Sequence, residues 1–161
     1  MIKRILLISI FIVGCTFKVP TQFSQKALDD TFITLGNDSI QFKEILAKHK
    51  GKKILIDVWA SWCKDCIVGL PKAKALQKEF PDVVFLFLSL DKNVKSWKRG
   101  IDRFGIKGEH YFMQSGWKGD FGDFLNLNWI PRYVVIDEEG MITMFKATKS
   151  KSKKIVNALA K

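Results

Sequence analysis

The chain has 161 residues, 47% of them hydrophobic, and carries 27 basic against 16 acidic side chains for a formal charge of +11 at pH 7. That length suits one domain and is enough to bury a proper core. The positive balance raises nucleic acid as a partner, but the lysines are spread over every predicted helix and the tail Lys149 to Lys161; with no arginine-rich, aromatic-interleaved stripe, they read as a solvated basic face and nucleic-acid binding is set aside.

At the start, Met1-Ile2-Lys3-Arg4 is a short positive segment and Ile5 to Val13 an apolar run of about nine residues, too short to cross a bilayer as a helix. The sequence Ile12-Val13-Gly14-Cys15 that ends it resembles a bacterial lipoprotein signal, in which cleavage precedes the cysteine and the new N-terminal thiol carries lipid. The resemblance implies a signal peptide over residues 1–14, a lipid anchor at Cys15 and a tether over 15–29, of which Thr16 to Lys26, polar and with Pro20, is the linker. The alternative is an ordinary secretory signal with an incidental cysteine; either way the protein is expected to be exported. Without residues 1–14 the balance is 25 basic against 16 acidic residues.

The domain is expected over residues 30–161. Thr31 to Leu35 and Ser39 to Phe42, joined around Gly36-Asn37-Asp38, read as a hairpin, followed by a short helix over Lys43 to Lys50 that Gly51 ends. Lys53 to Trp59 is short, apolar and rich in β-branched residues, a buried strand. Ile67 to Phe80 places Ala73, Leu76 and Phe80 at helical spacing. Val83 to Leu90 is apolar on both faces, as in a parallel strand covered on each side. Val94, Trp97, Ile101 and Phe104 predict an amphipathic helix capped by Asp91 or Asn93. A brief strand over Glu109 to Met113 and a short helix over Asp120 to Leu127 follow, then a second hairpin, Arg132 to Asp137 with Met141 to Lys146, and a closing helix over Lys151 to Lys161 with Ile155 and Leu159 inward. The order argues for an α/β sandwich, a mostly parallel central sheet with helices on both faces.

Trp62-Cys63-Lys64-Asp65-Cys66 falls where the strand turns into a helix. Free backbone N–H groups and the helix dipole there favour an anion, hence a thiolate at Cys63. Two intervening residues let one helical turn bring the sulfurs together, close enough to form and break a small-ring disulfide. A structural disulfide or half a metal site are the bland readings. Zinc normally needs four ligands, and only His49 and His110 remain as histidines, with no second cysteine pair.

Asp57-Val58-Trp59-Ala60-Ser61-Trp62-Cys63-Lys64-Asp65-Cys66, Pro71 five residues later and Ile130-Pro131 ahead of a late strand together resemble thioredoxin. The leader, the N-terminal hairpin and the extra segment near residues 105–128 are more similar to the membrane-tethered TlpA/ResA-like thiol-disulfide oxidoreductases of bacteria. The resemblance implies a three-layer thioredoxin-like sandwich around a mixed sheet. Cys63 would be the attacking thiolate and Cys66 the resolving thiol. Pro131 would be the family's cis-proline, with Ile130 before it pairing with the substrate chain. Asp57 would be the buried acid that takes the resolving thiol's proton, and a carboxylate in an apolar strand should have a raised pKa. Trp62 would cover the sulfurs and offer substrate an apolar platform, while Trp59, Trp97, Trp117 and Trp129 read as core or rim aromatics and His110 as a packing residue. Lys64-Asp65 departs from the pattern, since many members carry proline before the second cysteine; the two charges act oppositely on the Cys63 thiolate and roughly cancel.

The expected function is reduction of disulfides in exported proteins by dithiol-disulfide exchange, with no cofactor beyond the redox-active Cys63–Cys66 pair, no metal, and electrons from a membrane donor protein. The protein is expected to be a monomer, lipid-anchored on the periplasmic side of a bacterial membrane. Two rivals share the architecture. A SCO-type copper carrier uses wider cysteine spacing and a late histidine, and none follows His110; a peroxiredoxin-type peroxidase needs a threonine-containing loop that Ser61-Trp62 does not supply.

Overall fold

The strands form one seven-stranded sheet, described in a computed structural model covering residues 19–150 and 152–161. The expected leader, the anchor Cys15 and residues 16–18 of the tether lie outside the described residues. The strands are β1 (Thr31–Ile33), β2 (Ser39–Gln41), β3 (Ile54–Trp59), β4 (Val84–Ser89), β5 (Glu109–Phe112), β6 (Arg132–Ile136) and β7 (Ile142–Ala147), in spatial order β2-β1-β5-β4-β3-β6-β7. Helices are α1 (Gln25–Asp29), α2 (Phe42–Lys48), α3 (Lys64–Glu79), α4 (Val94–Phe104), α5 (Asp120–Phe124) and α6 (Lys153–Leu159), with a 3-10 turn at Gly116–Lys118.

Parallel pairing is confined to β3, β4 and β5; β1, β2, β6 and β7 pair antiparallel. The sheet is therefore mixed, as the family resemblance implies, rather than mostly parallel. Hairpins close antiparallel edges on each side, whereas the crossovers through α3 and α4 return the chain parallel. All six residues of β3 are buried, so both faces at the centre of the sheet are covered, and this is the near-continuous apolar run the sequence displays.

The tether reading needs correction over residues 21–29. Ser24 caps α1, its hydroxyl accepting from the Ala27 N–H at 3.2 Å, and Ala27 is fully buried. Phe23 joins a cluster with Phe32, Phe42, Phe121 and Phe124, its ring centroid 4.9 Å from that of Phe42 and 5.1 Å from that of Phe124. The Thr21 carbonyl accepts from Ile142 N–H at 2.7 Å, stitching this segment to β7. A polar composition hides one aromatic residue whose burial recruits the whole stretch.

Local chemistry moves other boundaries. In the first hairpin Asn37, at φ 73°, takes the left-handed conformation rather than Gly36, a conformation asparagine tolerates better than most side chains. Helix α3 starts three residues before the apolar periodicity, because Cys63 is its cap. Pro71 lies inside it and removes the N–H that would reach the Ile67 carbonyl. Helix α5 stops at Phe124, short of Leu127, because Asn126 takes the left-handed conformation at φ 47° and the Leu127 N–H turns back to the Gly122 carbonyl at 3.0 Å, which frees the carbonyls of Leu125 and Asn126 for Arg132. Asn93 caps α4, accepting from Ser96 N–H at 2.9 Å, which leaves Asp91 free for the role described below.

Candidate active site

Strand β3 ends at Trp59, and residues 60–63 turn its chain into α3. Cys63 and Cys66 form a disulfide with their Cα atoms 5.3 Å apart. Cys63 occupies the N-cap of α3, and its Sγ accepts from the Cys66 backbone N–H at 3.1 Å. A thiolate on that atom would gain this hydrogen bond and the positive end of a 16-residue helix. Cys66 is 3% exposed and Cys63 6%, but Cys63 also lines an open cleft, so a visiting sulfur reaches only the first of the pair.

The turn is held from behind by a residue whose role the sequence did not disclose. Asp91, buried just past β4, accepts from the Ser61 N–H at 3.0 Å, the Ser61 hydroxyl at 2.6 Å and the Ser89 hydroxyl at 2.9 Å. Its spacing before α4 suggested a cap; only the parallel pairing of Trp59 with Ser89 brings it under the cysteine turn. Gly100 of α4 seats the other side, where a Cβ would fall 2.5 Å from that of Ser61.

Opposite the sulfurs, the Ile130–Pro131 peptide bond is cis, and the Ile130 carbonyl oxygen lies 3.7 Å from Cys63 Sγ. Arg132 follows at once and is fully buried. Its guanidinium donates to the carbonyls of Leu125 and Asn126 and, at 3.0 Å, to Asn128 Oδ1. Among the described residues no carboxylate joins these partners; Arg132 acts as a peg that fixes the segment leading to Trp129 and Ile130. An arginine inside the run Arg132-Tyr133-Val134-Val135-Ile136 was the available signal, since burying that group without carbonyl partners would be prohibitive.

Asp57 sits in the middle of β3, 5% exposed, across from Tyr133 of β6. Burial pushes its carboxyl up to about 8, with the Tyr133 hydroxyl pulling the other way, and among the described residues its Oδ1 meets no hydrogen-bond partner. The tyrosine phenol is pushed up in turn, by its own burial first and the neighbouring carboxylate second. Both hydroxyls near α3, of Tyr133 and Ser150, converge where Gly69 has no side chain: a Cβ there would stand 3.3 and 3.1 Å from them.

Of the five tryptophans, Trp59 and Trp97 are core. Trp62 is 53% and Trp129 57% exposed, and both flank Cys63 with Trp117 from the 3-10 turn. Trp62 thus stands at the rim beside the sulfurs as a wall. His110 is buried, its ring stacked on Phe87 with centroids 5.3 Å apart and its Nε2 3.1 Å from the Ile106 carbonyl.

Residues 51–142 match the family described as Thioredoxin-like. The chain is 31% identical over 129 residues to the thioredoxin-like protein YneN of Bacillus subtilis, spanning 78% of this chain and 71% of that protein. Among solved structures it resembles a candidate thiol-disulfide oxidoreductase from Bacteroides vulgatus, at 31% identity and TM-score 0.66 over 80% of this chain and 82% of that one. A thiol-disulfide oxidoreductase from Bacteroides fragilis shares the fold at TM-score 0.68 and 17% identity, covering 84% and 98% of the two chains. Matched across its middle by the family and closed by a disulfide at the mouth of α3, the chain belongs to the thioredoxin-like family, as a thiol-disulfide oxidoreductase of that fold.

Proposed function

We propose that the protein reduces disulfides of exported proteins, with Cys63 as nucleophile. The observation that carries this reading is Cys63 at the cap of α3, its sulfur turned to a cleft beside the Ile130 carbonyl while Cys66 stays behind it. In the dithiol form the Cys63 thiolate attacks one sulfur of a substrate disulfide; the other sulfur leaves as a thiolate and Cys63 is joined to substrate. Asp57, in its ionised form, takes the proton of Cys66 as Cys66 attacks Cys63, which restores the disulfide and releases the second substrate thiol. Ile130, presented by cis Pro131, offers its backbone to the substrate chain, and Trp62 gives that chain an apolar rest. Two electrons pass to substrate, so a donor must restore the dithiol; no cofactor or metal enters.

Export rests on the leader, and attachment at the periplasmic face on Cys15; among the described residues no helix is long and apolar enough to cross a membrane. A membrane protein is the electron donor that fits a tethered monomer of this kind. The test is reduction of a disulfide-bonded peptide by the reduced protein. Cys63→Ser is expected to fall to the uncatalysed background, and equal rates in the two proteins would remove the reading. Cys66→Ser should trap covalent partners in cells, readable by mass as exported proteins.

A further inference from the structure

Three tryptophan side chains from separate parts of the chain wall one cleft of about 450 Å³: Trp62 from the turn before α3, Trp117 from the 3-10 turn, and Trp129 from the segment pegged by Arg132. Cys63 and Ile130 complete it, and among the described residues that line it Asn128 is the neutral polar side chain, with Lys64 and Asp65 beside the cysteine. Large apolar surfaces left in water are costly, and Trp62 and Trp129 are each more than half exposed. A volume within the ~300–1,000 Å³ of ordinary ligand pockets suits a large side chain together with the backbone that bears it. A second cleft, about 480 Å³, shares Trp129 with the first and is lined by Val68, Pro131 and Thr148. Val68, at 71% exposure, extends the apolar surface along it.

We infer that the three-tryptophan cleft is a specificity site for the polypeptide whose disulfide is reduced, taking an aromatic or large aliphatic side chain directly adjacent in sequence to the cysteine that Cys63 attacks. The inference rests on the proposed nucleophilic role of Cys63. The occupant follows from position. Exchange needs the substrate sulfur in contact with Cys63 Sγ, so the residues beside the substrate cysteine must lie across Ile130, and the flanking space on the Trp62 side is this cleft. Aromatic faces and edges give such a side chain a partner from each wall, worth more than area alone. An acidic or small neighbour would leave the walls wet or lose its own hydration, and so is disfavoured. Trp117 and Trp129 are then specificity-determining residues, and Arg132 a positioning residue acting through the Asn126–Asn128 segment.

The experiment uses the reduced protein, regenerated by excess dithiothreitol whose own reduction of each peptide is subtracted, and five-residue peptides with a central cysteine held as a mixed disulfide with 2-mercaptoethanol, the neighbouring residue being Trp, Leu, Ala or Asp on either side in turn. Cys63 attacks the peptide sulfur, 2-mercaptoethanol leaves as its thiolate, and Cys66 then closes the Cys63–Cys66 disulfide to release the peptide thiol. Trp and Leu peptides are expected to exceed the Asp peptide by about ten- to a hundredfold in kcat/KM for one of the two placements, mostly through KM, the scale on which apolar pockets discriminate. Trp117→Ala and Trp129→Ala should collapse that ratio towards one, while Trp117→Phe should keep most of it. Equal kcat/KM for all peptides with the unaltered protein would overturn the inference while the proposed reduction stands, without depending on any variant folding. Preference that survives in both folded alanine variants would overturn it as well. No reduction of any peptide would instead sink the role of Cys63.

Discussion

Asp57 carries the clearest electrostatic consequence of its surroundings. Unfolded, it loses its proton near the model-peptide value of 3.8; folded, burial holds the proton until about pH 8. Across that window the folded state binds one proton more than the unfolded, so stability must decline as pH rises from about 4 to 8 and level off above. At 1.36 kcal/mol per pKa unit the whole effect is on the order of 5 kcal/mol. Asp57→Asn removes the titrating group, and urea denaturation of the oxidised protein should show the variant gaining on the parent as pH goes from 5 to 9. A parallel pH course in the two would mean that Asp57 is hydrated. The same variant should slow release of peptide from the Cys63 mixed disulfide by about a hundredfold or more, the usual yield of a placed general base. Two effects of opposite sign from one substitution, a more stable protein and a slower one, separate catalysis from architecture.

Helix α3 works because its neighbours fix where it begins. Its first turn is the redox centre, yet the position of that turn is set by Asp91 gripping Ser61 and by α4 lying close enough to touch it. Gly100 of α4 is the point of closest approach. Alanine there gains about 1 kcal/mol of helix propensity but puts a methyl 2.5 Å from the Ser61 Cβ, a position Asp91 does not let move. Overpacking of this kind costs about 1–3 kcal/mol. Gly100→Ala should therefore lower the thermal midpoint and alter the rate of Cys63 alkylation in the reduced protein. An unchanged midpoint would show that the cysteine turn yields more readily than its hydrogen bonds indicate.

The molecule as a whole is one sheet with an aromatic cluster at the hairpin end and the disulfide at the mouth of α3. Phe23 joins the cluster from outside the expected domain boundary, so the segment of residues 21–29 belongs to the fold. Phe23→Ala should destabilise by about 3 kcal/mol, the lower end for a phenylalanine lost from a core because this ring keeps slight exposure. Denaturant titration measures it; a loss below about 0.5 kcal/mol, the range of surface substitutions, would return the segment to the status of a tether.

Strand β3, the cysteine pair, the cap of a long helix and the proline opposite were legible in the sequence because each is written in neighbouring residues: apolar runs, a two-residue spacing, and a motif order similar to thioredoxin. Burial of Asp57 could be foreseen for the same reason, from the apolar residues on either side of it. What the linear order could not reveal was pairing over distance. Trp59 and Trp129 are chemically alike, yet one is core and the other a wall of a cleft, because exposure depends on residues that the sheet register brings alongside. Asp91 read as a candidate helix cap and Arg132 only as the first residue of a strand until parallel pairing set the one beneath Ser61 and the turn of residues 125–128 supplied carbonyls to the other. Local sequence decides what each segment prefers; only the closed sheet decides which distant side chains meet, since a hydrogen bond or a packed ring needs two partners, and Ser61 and Asp91 stand 30 residues apart in the chain.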